Sequence, residues 1–156
     1  TEDVEGLVHY RRHFILPKDW LVWMEQNGVD VMLPTPLYVG PSLAGNYKFR
    51  HEAADWEVMM QGLKEQSPEM YEAAEDFFAG NLYSPCNMFI ARAEVLDELC
   101  DWMFPILFKV VEHGGLKEDT YQNRYPGFLS ERLLSFFFEY YRDKYKMVYA
   151  DKNFLP

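Results

Sequence analysis

The order of apolar segments near the start of the chain limits the folds open to it. A short apolar strand is predicted over Gly6–Tyr10, and a helix over Asp19–Asn27, which Gly28 ends. A second strand, Val29–Leu33, then runs up to Pro34. A strand, a helix and a second strand in succession are typical of α/β domains, in which helices cover a central sheet. We therefore predict an α/β fold.

The rest of the chain continues this mixture of elements. Prolines and glycines between Pro34 and Tyr47 predict a long functional loop, whose Tyr38 and Tyr47 could touch a ligand. Pro105 is expected to kink or break the helix that begins at Glu94. The other predicted elements are helices over Glu52–Lys64, Pro68–Ala79 and Phe128–Arg142, a strand within Tyr83–Ala91 whose Met88–Ala91 part is buried, and a possible edge strand over Met147–Ala150.

Length and composition fit one domain with one core. The chain has 156 residues, of which 49% are hydrophobic and 17% aromatic, and this supplies enough apolar side chains for a core. We expect residues 1–156 to form a single domain that is a fragment of a longer one. The reason is that the strand Gly6–Tyr10 starts without a preceding element to lie against.

The charge balance restricts the partners. The 15 Lys and Arg residues are outnumbered by 25 Asp and Glu residues, and the formal net charge of −10 opposes the attraction that nucleic-acid binders use. No nucleic-acid partner is expected. Local basic clusters that could each hold one phosphate are Arg11, Arg12, His13 and Lys18, and Lys48, Arg50 and His51.

Cysteine usage and hydropathy favour a cytoplasmic protein. Cys86 and Cys100 are the only cysteines, and no disulfide framework or zinc-ligand spacing surrounds them. The most apolar stretch, Trp102–Phe108, is shorter than the ~20 residues that a membrane-spanning helix needs. We expect no membrane span, while peripheral contact with a membrane stays open.

The adjacent Arg11 and Arg12 follow the first predicted strand. A guanidinium group suits phosphate, because its planar fork donates two parallel charge-assisted hydrogen bonds. Open α/β sheets bind ligands at the carboxyl ends of their strands, where this pair is expected to lie. The pair is a candidate phosphate site. Alternatively, one side chain is solvated and the other forms an ion pair with an acidic residue.

Histidines accompany both basic clusters. His9 and His13 flank the arginine pair without a metal-ligand spacing, so each is expected to be a structural histidine or a donor to a diphosphate. His51 and Asp55 are four residues apart where a helix is predicted to begin, so the carboxylate could orient the imidazole on one helix face. Alternatively, Asp55 only complements the positive end of the helix.

Glu131 and Arg132 fall in the first turns of the helix predicted from Phe128. A carboxylate there is expected to stay ionised, because the amino end of a helix favours negative charge. An ionised carboxylate suits a general base or a partner for sugar hydroxyls. A polar stripe on a surface helix is the other interpretation.

Four segments occur in an order and spacing that link the chain to a known family. They are Gly6–Phe14, Asn87–Ile90, Cys100–Phe108 and Arg124–Leu134. Together they resemble a bacterial family of glycosyltransferase-like domains of unknown function found with capsular and exopolysaccharide synthesis proteins. The resemblance implies a GT-A-like fold, a mixed sheet flanked by helices. It also implies that the upstream nucleotide-binding half of such domains is largely missing here.

The same resemblance implies the substrates and the site. The donor would be a nucleoside-diphosphate sugar, and the acceptor a glycan or a lipid-linked sugar. Glu131 would be the base or a sugar ligand, with Asp55 as a second carboxylate in the same cleft. The residues implied in substrate or phosphate binding are His9, Tyr10, Arg11, Arg12, His51, Asn87, Arg124 and Arg132.

Metal binding is the point at which the sequence departs from related folds. GT-A enzymes commonly hold Mg²⁺ or Mn²⁺ with an Asp-x-Asp motif, and no such motif occurs in this chain. No metal ligand is therefore assigned. We expect Arg11 and Arg12 to neutralise the leaving diphosphate directly.

Two other functions stay open. An acidic, aromatic-rich module could pack against another domain or chain without chemistry of its own. A phosphoester-processing enzyme could use the arginine pair, but the sequence shows no metal cluster and no nucleophile paired with a base. The lack of Gly-x-Gly-x-x-Gly, Walker and Gly-x-Ser-x-Gly motifs disfavours dehydrogenases, P-loop enzymes and common hydrolases.

Overall fold

A computed structural model describes residues 3–155, which form a four-stranded sheet, two small two-stranded sheets and six helices. The strands are β1 (Val4–Leu7), β2 (Arg12–Phe14), β3 (Val31–Pro34), β4 (Leu37–Tyr38), β5 (Leu82–Tyr83), β6 (Phe89–Arg92), β7 (Met147–Ala150) and β8 (Lys152–Phe154). The helices are α1 (Trp20–Gln26), α2 (Leu43–Arg50), α3 (Ala53–Gln66), α4 (Tyr71–Ala79), α5 (Ala93–Gly114) and α6 (Tyr125–Tyr140). Single 3₁₀ turns lie at Pro68–Met70 and Gln122–Arg124.

The four-stranded sheet has the order β1-β6-β3-β7 and is mixed. β6 runs antiparallel to both β1 and β3, whereas β7 runs parallel to β3. The predicted α/β fold with a mixed sheet flanked by helices is confirmed, as is the edge strand predicted over Met147–Ala150. The strand predicted over Gly6–Tyr10 corresponds to β1, which is the other edge of this sheet, and its Leu7 is 49% exposed.

Both faces of the central strands are buried, and side chains alternate between them. Val31 and Leu33 of β3 join the large core, which α2 to α6 cover. Met32 and Ile90 point to the opposite face, where they pack with Met24 of α1 in a second, smaller core. A strand buried on both faces needs apolar side chains at every position, and this explains the unbroken apolar run of β3.

The longest helix, α5, runs through Pro105 as one 22-residue element. The prediction of a break there is wrong, because Trp102, Met103, Ile106 and Leu107 are buried on either side of the proline and pack the helix into the core. No helix within residues 3–155 has the length and apolar character needed to cross a membrane.

The segment Pro34–Tyr47 is not the long loop that its prolines and glycines predict. It contains β4 and the start of α2, where the Ser42 side chain accepts a hydrogen bond from the Gly45 backbone N–H and caps the helix. Tyr47 is fully buried in α2, while Tyr38 is exposed on β4.

Candidate functional site

One cleft of about 590 Å³ gathers most of the predicted site residues. It lies where the turn before β2, the end of α2, the loop before β6 and the start of α6 meet. Tyr10, Arg11 and Asp55 are not part of its wall. The predicted residues that line it are His9, Arg12, His51, Asn87, Arg124, Glu131 and Arg132.

Arg12 and Arg124 enter the cleft from two sides. Arg12 begins β2, and its guanidinium carbon lies 4.9 Å from the centre of the Phe154 ring on the paired strand β8. The Arg124 guanidinium carbon lies 5.6 Å from the Phe128 ring centre. Within residues 3–155 neither arginine forms an ion pair with a carboxylate. Neither guanidinium charge is therefore held in a direct ion pair, although both interact at longer range with Glu131.

Arg132 is a third cation of the cleft, and it is only 3% exposed. Its guanidinium carbon lies between two tyrosine rings, 5.1 Å from that of Tyr47 and 5.3 Å from that of Tyr83. Nη1 donates to the Phe128 carbonyl oxygen at 2.8 Å, and Nε is buried without a hydrogen-bond partner. Buried cations are normally paired, and here burial lowers the pKa of Arg132, partly offset by Tyr83 and Glu131.

His9 is fixed as a neutral hydrogen-bond donor beside Arg12. Its Nδ1 accepts a hydrogen bond from the Arg11 backbone N–H at 3.2 Å and lies 3.3 Å from Arg12 Nη1. Since both neighbours are donors, Nδ1 carries the lone pair and Nε2 carries the proton. Burial, followed by the charges of Arg12, Arg124 and Arg11, lowers the pKa of His9.

Arg11 and Tyr10 do not line the cleft. Arg11 stacks on the same ring as Arg12, with its guanidinium carbon 4.7 Å from the Phe154 ring centre, but it does not line the cavity. Tyr10 is 82% exposed and packs against the His9 ring. Of the predicted arginine pair, only Arg12 therefore lines the cleft.

Glu131 lies in the second turn of α6, because the helix begins at Tyr125 rather than at Phe128. Burial raises the pKa of its carboxyl group, and Arg132, a hydrogen bond from the Cys86 backbone and Arg12 offset that shift in part. The helix amino end, which was expected to keep this carboxylate ionised, is not the main influence on its pKa. That effect fades within the first turn, and desolvation dominates here.

A strained turn positions the backbone that contacts Glu131. Cys86 and Asn87 have φ angles of 78° and 51°, in the left-handed region that non-glycine residues seldom adopt. Asn87 Nδ2 donates to the Gly127 carbonyl oxygen at 2.9 Å, and its Oδ1 accepts from the Ser130 hydroxyl. These bonds tie the turn to α6, and strain stored in this way is frequent at functional sites.

His51 does not share a helix face with Asp55. It caps the end of α2 in extended backbone, and α3 begins only at Ala53. Its ring lies 4.4 Å from the Phe128 ring and 4.8 Å from the Tyr47 ring, centre to centre. Burial lowers the pKa of His51, and a hydrogen bond with Gln122 partly restores it.

Asp55 is 2% exposed. Its carboxylate pairs with a lysine and does not line the cleft. Its carboxylate oxygens lie 2.9 and 3.1 Å from Lys117 Nζ, which also binds Glu52 at 2.7 Å. Lys117 Nζ lies 4.6 Å from the Tyr125 ring centre. The predicted placement of Asp55 in the same cleft as His51 is therefore wrong, and the carboxylate anchors the segment between α5 and α6.

That segment carries cleft residues that no motif marks in the sequence. Tyr121 lines the cleft, and its hydroxyl lies 3.3 Å from the Arg50 guanidinium. Gln122 bridges His51 and the Arg50 carbonyl oxygen. These contacts join residues about 70 positions apart, so only the fold reveals them. Arg50 alone had a sequence signal, since it belongs to the second basic cluster.

Within residues 3–155, the side chains that line the cleft do not form a metal centre. Residues 3–155 contain no group of three or more His, Cys, Asp or Glu side chains that could hold a metal ion. Glu131 is the one carboxylate among the residues that line the cavity, and its neighbours are arginines. This donor set does not fit Mg²⁺ or Mn²⁺ bound by protein side chains, since these cations take several oxygen ligands.

Comparison with known proteins assigns the family. A family model described as Domain of unknown function (DUF4422) matches residues 1–143. The chain belongs to the DUF4422 family. No curated protein matches it.

One solved structure similar to this DUF4422 chain is the apo structure of WbbM, a bifunctional glycosyltransferase. The two superpose with a TM-score of 0.82 at 19% sequence identity, over 99% of this chain and 34% of that one. The chain thus spans about a third of the length of that protein. At this identity the likeness shows a shared fold, that of part of a glycosyltransferase.

Proposed function

We propose that this DUF4422 domain binds a nucleoside-diphosphate sugar in the cleft and takes part in sugar transfer during capsule or exopolysaccharide synthesis in the cytoplasm. One observation carries the proposal: Arg12, Arg124 and Arg132 line a single cavity, and within residues 3–155 none of them is paired with a carboxylate. Cations that are kept unpaired around a cavity favour an anionic ligand.

The diphosphate would lie between Arg12 and Arg124. Both guanidinium groups and the proposed Nε2–H donor of His9 suit phosphate oxygens, which accept charge-assisted hydrogen bonds. The same groups would stabilise the charge that develops on the leaving diphosphate. Arg11 is left out of this role, in contrast to the sequence-based expectation, because it lies outside the cavity wall.

Glu131 would act on the sugar or on the acceptor. Its carboxyl group has a raised pKa, which brings a carboxylate closer to the range in which a base accepts protons well at neutral pH. The backbone N–H of Cys86 fixes its orientation. A glycan or lipid-linked acceptor hydroxyl that reached Glu131 would lose its proton there as its oxygen bonds to the anomeric carbon and the diphosphate departs.

Ligand binding to the isolated chain tests the proposal. Thermal unfolding is measured with UDP-, GDP- and CDP-sugars, each with and without Mn²⁺, because a ligand that binds the native state raises Tm. We expect one nucleotide class to raise Tm for the wild type and to have little effect on an Arg12→Ala, Arg124→Ala double variant. Arg142→Ala is the matched control, since this exposed arginine pairs with Glu139 outside the cleft. Equal shifts in the wild type and the double variant would refute the proposal.

A further inference from the structure

The amide of Gln122 has only one orientation that satisfies its neighbours. Nε2 lies 3.1 Å from the Arg50 carbonyl oxygen, and Oε1 lies 2.9 Å from His51 Nδ1. A backbone carbonyl can only accept, so the amide nitrogen must face Arg50 and the amide oxygen must face the imidazole. The Gln122 side chain therefore offers His51 an acceptor.

This orientation determines the tautomer of His51. Nδ1 must donate to the amide oxygen, so Nδ1 carries a proton, and in the neutral ring Nε2 carries the lone pair. Burial lowers the pKa of His51, and the nearby charges of Arg132 and Arg50 act in the same direction against that of Asp55. The ring is thus neutral at pH 7. Nε2 makes no hydrogen bond within residues 3–155 and is not an enclosed atom.

The surroundings of His51 differ from those of His9. His51 lies among aromatic rings, stacked on Phe128 and at 6.0 Å from Tyr121, centre to centre. His9 lies beside Arg12 with its lone pair already used. The two histidines therefore have opposite tautomers at two places in one cleft. His9 offers an N–H, which suits an anion, and His51 offers a lone pair beside aromatic faces.

We propose that His51 Nε2 accepts a hydrogen bond from a sugar hydroxyl in the cleft, and that Gln122 is the positioning residue that fixes the required tautomer. Aromatic faces with one directional acceptor match a sugar ring, which is apolar on its C–H faces and carries hydroxyl donors at its edge. The inference rests on the proposed function. It goes beyond that function by identifying the part of the cleft that recognises a sugar ring. That ring belongs either to the donor or to the acceptor.

The tautomer is tested first, without any ligand. Long-range ¹H–¹⁵N spectra of the full chain, with His51 assigned by comparison with His51→Phe, are expected to show a protonated Nδ1 and an unprotonated Nε2 at pH 7. Gln122→Leu should abolish this preference, and Gln66→Leu, an exposed glutamine at the end of α3, should not. A protonated Nε2 in the wild type would overturn the proposal.

Recognition of the hydroxyl is tested by comparing ligands with and without a sugar. UDP, GDP and CDP, their sugar derivatives, and methyl glycosides are titrated into the wild type, His51→Phe and the exposed control His113→Phe. His51→Phe keeps an aromatic ring for Phe128 and Tyr121 but removes the lone pair. It is expected to weaken a sugar-bearing ligand about tenfold, the loss of one hydrogen bond, and to leave the plain nucleotide unchanged.

The three classes of ligand distinguish a donor hydroxyl from an acceptor hydroxyl. They also distinguish failure of this inference from failure of the proposed function. Weakening of a nucleotide sugar assigns the hydroxyl to the donor, and weakening of a methyl glycoside assigns it to the acceptor; either result supports the inference. Plain nucleotides that bind while no sugar-bearing ligand depends on His51 would overturn the inference alone. Plain nucleotides that fail to bind the wild type would refute the proposed function.

Gln122→Glu supplies a readout that a purely structural role would not produce. A carboxylate beside Nδ1 holds the imidazole in its charged form and raises its pKa, so Nε2 becomes a donor. Affinity for the sugar-bearing ligand should then fall at pH 6 and recover above pH 8, and this change in affinity should be larger in the variant than in the wild type, where the pKa of His51 is lowered. A flat profile in the variant would contradict the positioning role.

Discussion

Two groups of charged side chains include residues of the segment that joins α5 to α6, and they are built in opposite ways. In the closed group, Lys117 is surrounded by Asp55, Glu52 and the Tyr125 ring. In the open cleft, Arg12 and Arg124 have no carboxylate partner within residues 3–155.

The difference separates stability from binding. In a buried ion pair each charge is already compensated by its partner, so the pair does not require a ligand. Removal of one member leaves the other charge buried and uncompensated. Arginines without a partner around a cavity add little to folding but remain available to an anionic ligand. We therefore expect substitutions in the closed group to change the free energy of unfolding, and substitutions in the cleft to change affinity and rate.

The largest expected effect is that of Asp55→Ala on stability. The variant leaves Lys117, whose side chain is 9% exposed, with Glu52 as its only carboxylate partner within residues 3–155. Breaking a buried pair in this way costs about 3 kcal/mol. Urea unfolding at pH 7 measures the loss. A loss below about 1 kcal/mol, the range of exposed pairs, would show that the closed group is not the anchor we describe.

The next effect concerns Glu131 in the cleft. For the transfer reaction, Glu131→Gln is expected to lower kcat about 100-fold while leaving nucleotide affinity nearly unchanged. Because burial raises the pKa of Glu131, wild-type kcat/KM should rise with pH through that raised value, and the variant should lack this limb. A wild-type rate in the variant would exclude the role of base.

The same carboxyl group has a predictable effect on stability. Its pKa in the folded chain lies above that in the unfolded chain, so the native state binds the proton more tightly. Stability should therefore fall as pH rises from the unfolded value towards the folded one. Glu131→Gln removes this fall, and unfolding curves recorded between pH 4 and 7 for both proteins would show it.

The smallest effect is expected from Glu57→Ala, which is matched to Asp55→Ala. Both carboxylates belong to α3 and both pair with a lysine, but the side chain of Glu57 is 64% exposed in its pair with Lys48. Exposed pairs contribute roughly 0–1 kcal/mol. If both variants lost the same stability in urea, burial would not be what distinguishes the closed group.

The sequence predicted the sheet better than the site, for a physical reason. Strands such as Met147–Ala150 leave a local pattern of apolar side chains, and that pattern holds wherever the strand pairs. The break predicted at Pro105 was wrong, because packing of α5 into the core outweighs the local effect of a proline inside the helix. Within the site, Arg12, Arg124 and Glu131 stood in recognisable segments, whereas Gln122 carries no local pattern.

Asp55 and His51 show where spacing alone fails. Their separation of four residues has meaning only within one helix, and the chain changes direction between them, since α2 ends at Arg50 and α3 begins at Ala53. Adjacent residues can differ as well, because Arg12 lines the cavity and Arg11 does not, although both contact the Phe154 ring. Which of two neighbouring arginines faces a cavity depends on strand pairing, and β2 pairs with a strand about 140 residues away.

The difference between Arg11 and Arg12 permits the most direct test of the cleft as a nucleotide-sugar site. Isothermal titration of the nucleotide sugar that raises Tm is carried out with the wild type, Arg11→Ala and Arg12→Ala. The two variants remove the same charge from adjacent positions. We predict that Arg12→Ala weakens binding about tenfold or more, as expected for the loss of a charge-assisted hydrogen bond, and that Arg11→Ala stays within about threefold of the wild type. Wild-type affinity in Arg12→Ala would contradict the assignment of the cleft as the nucleotide-sugar site.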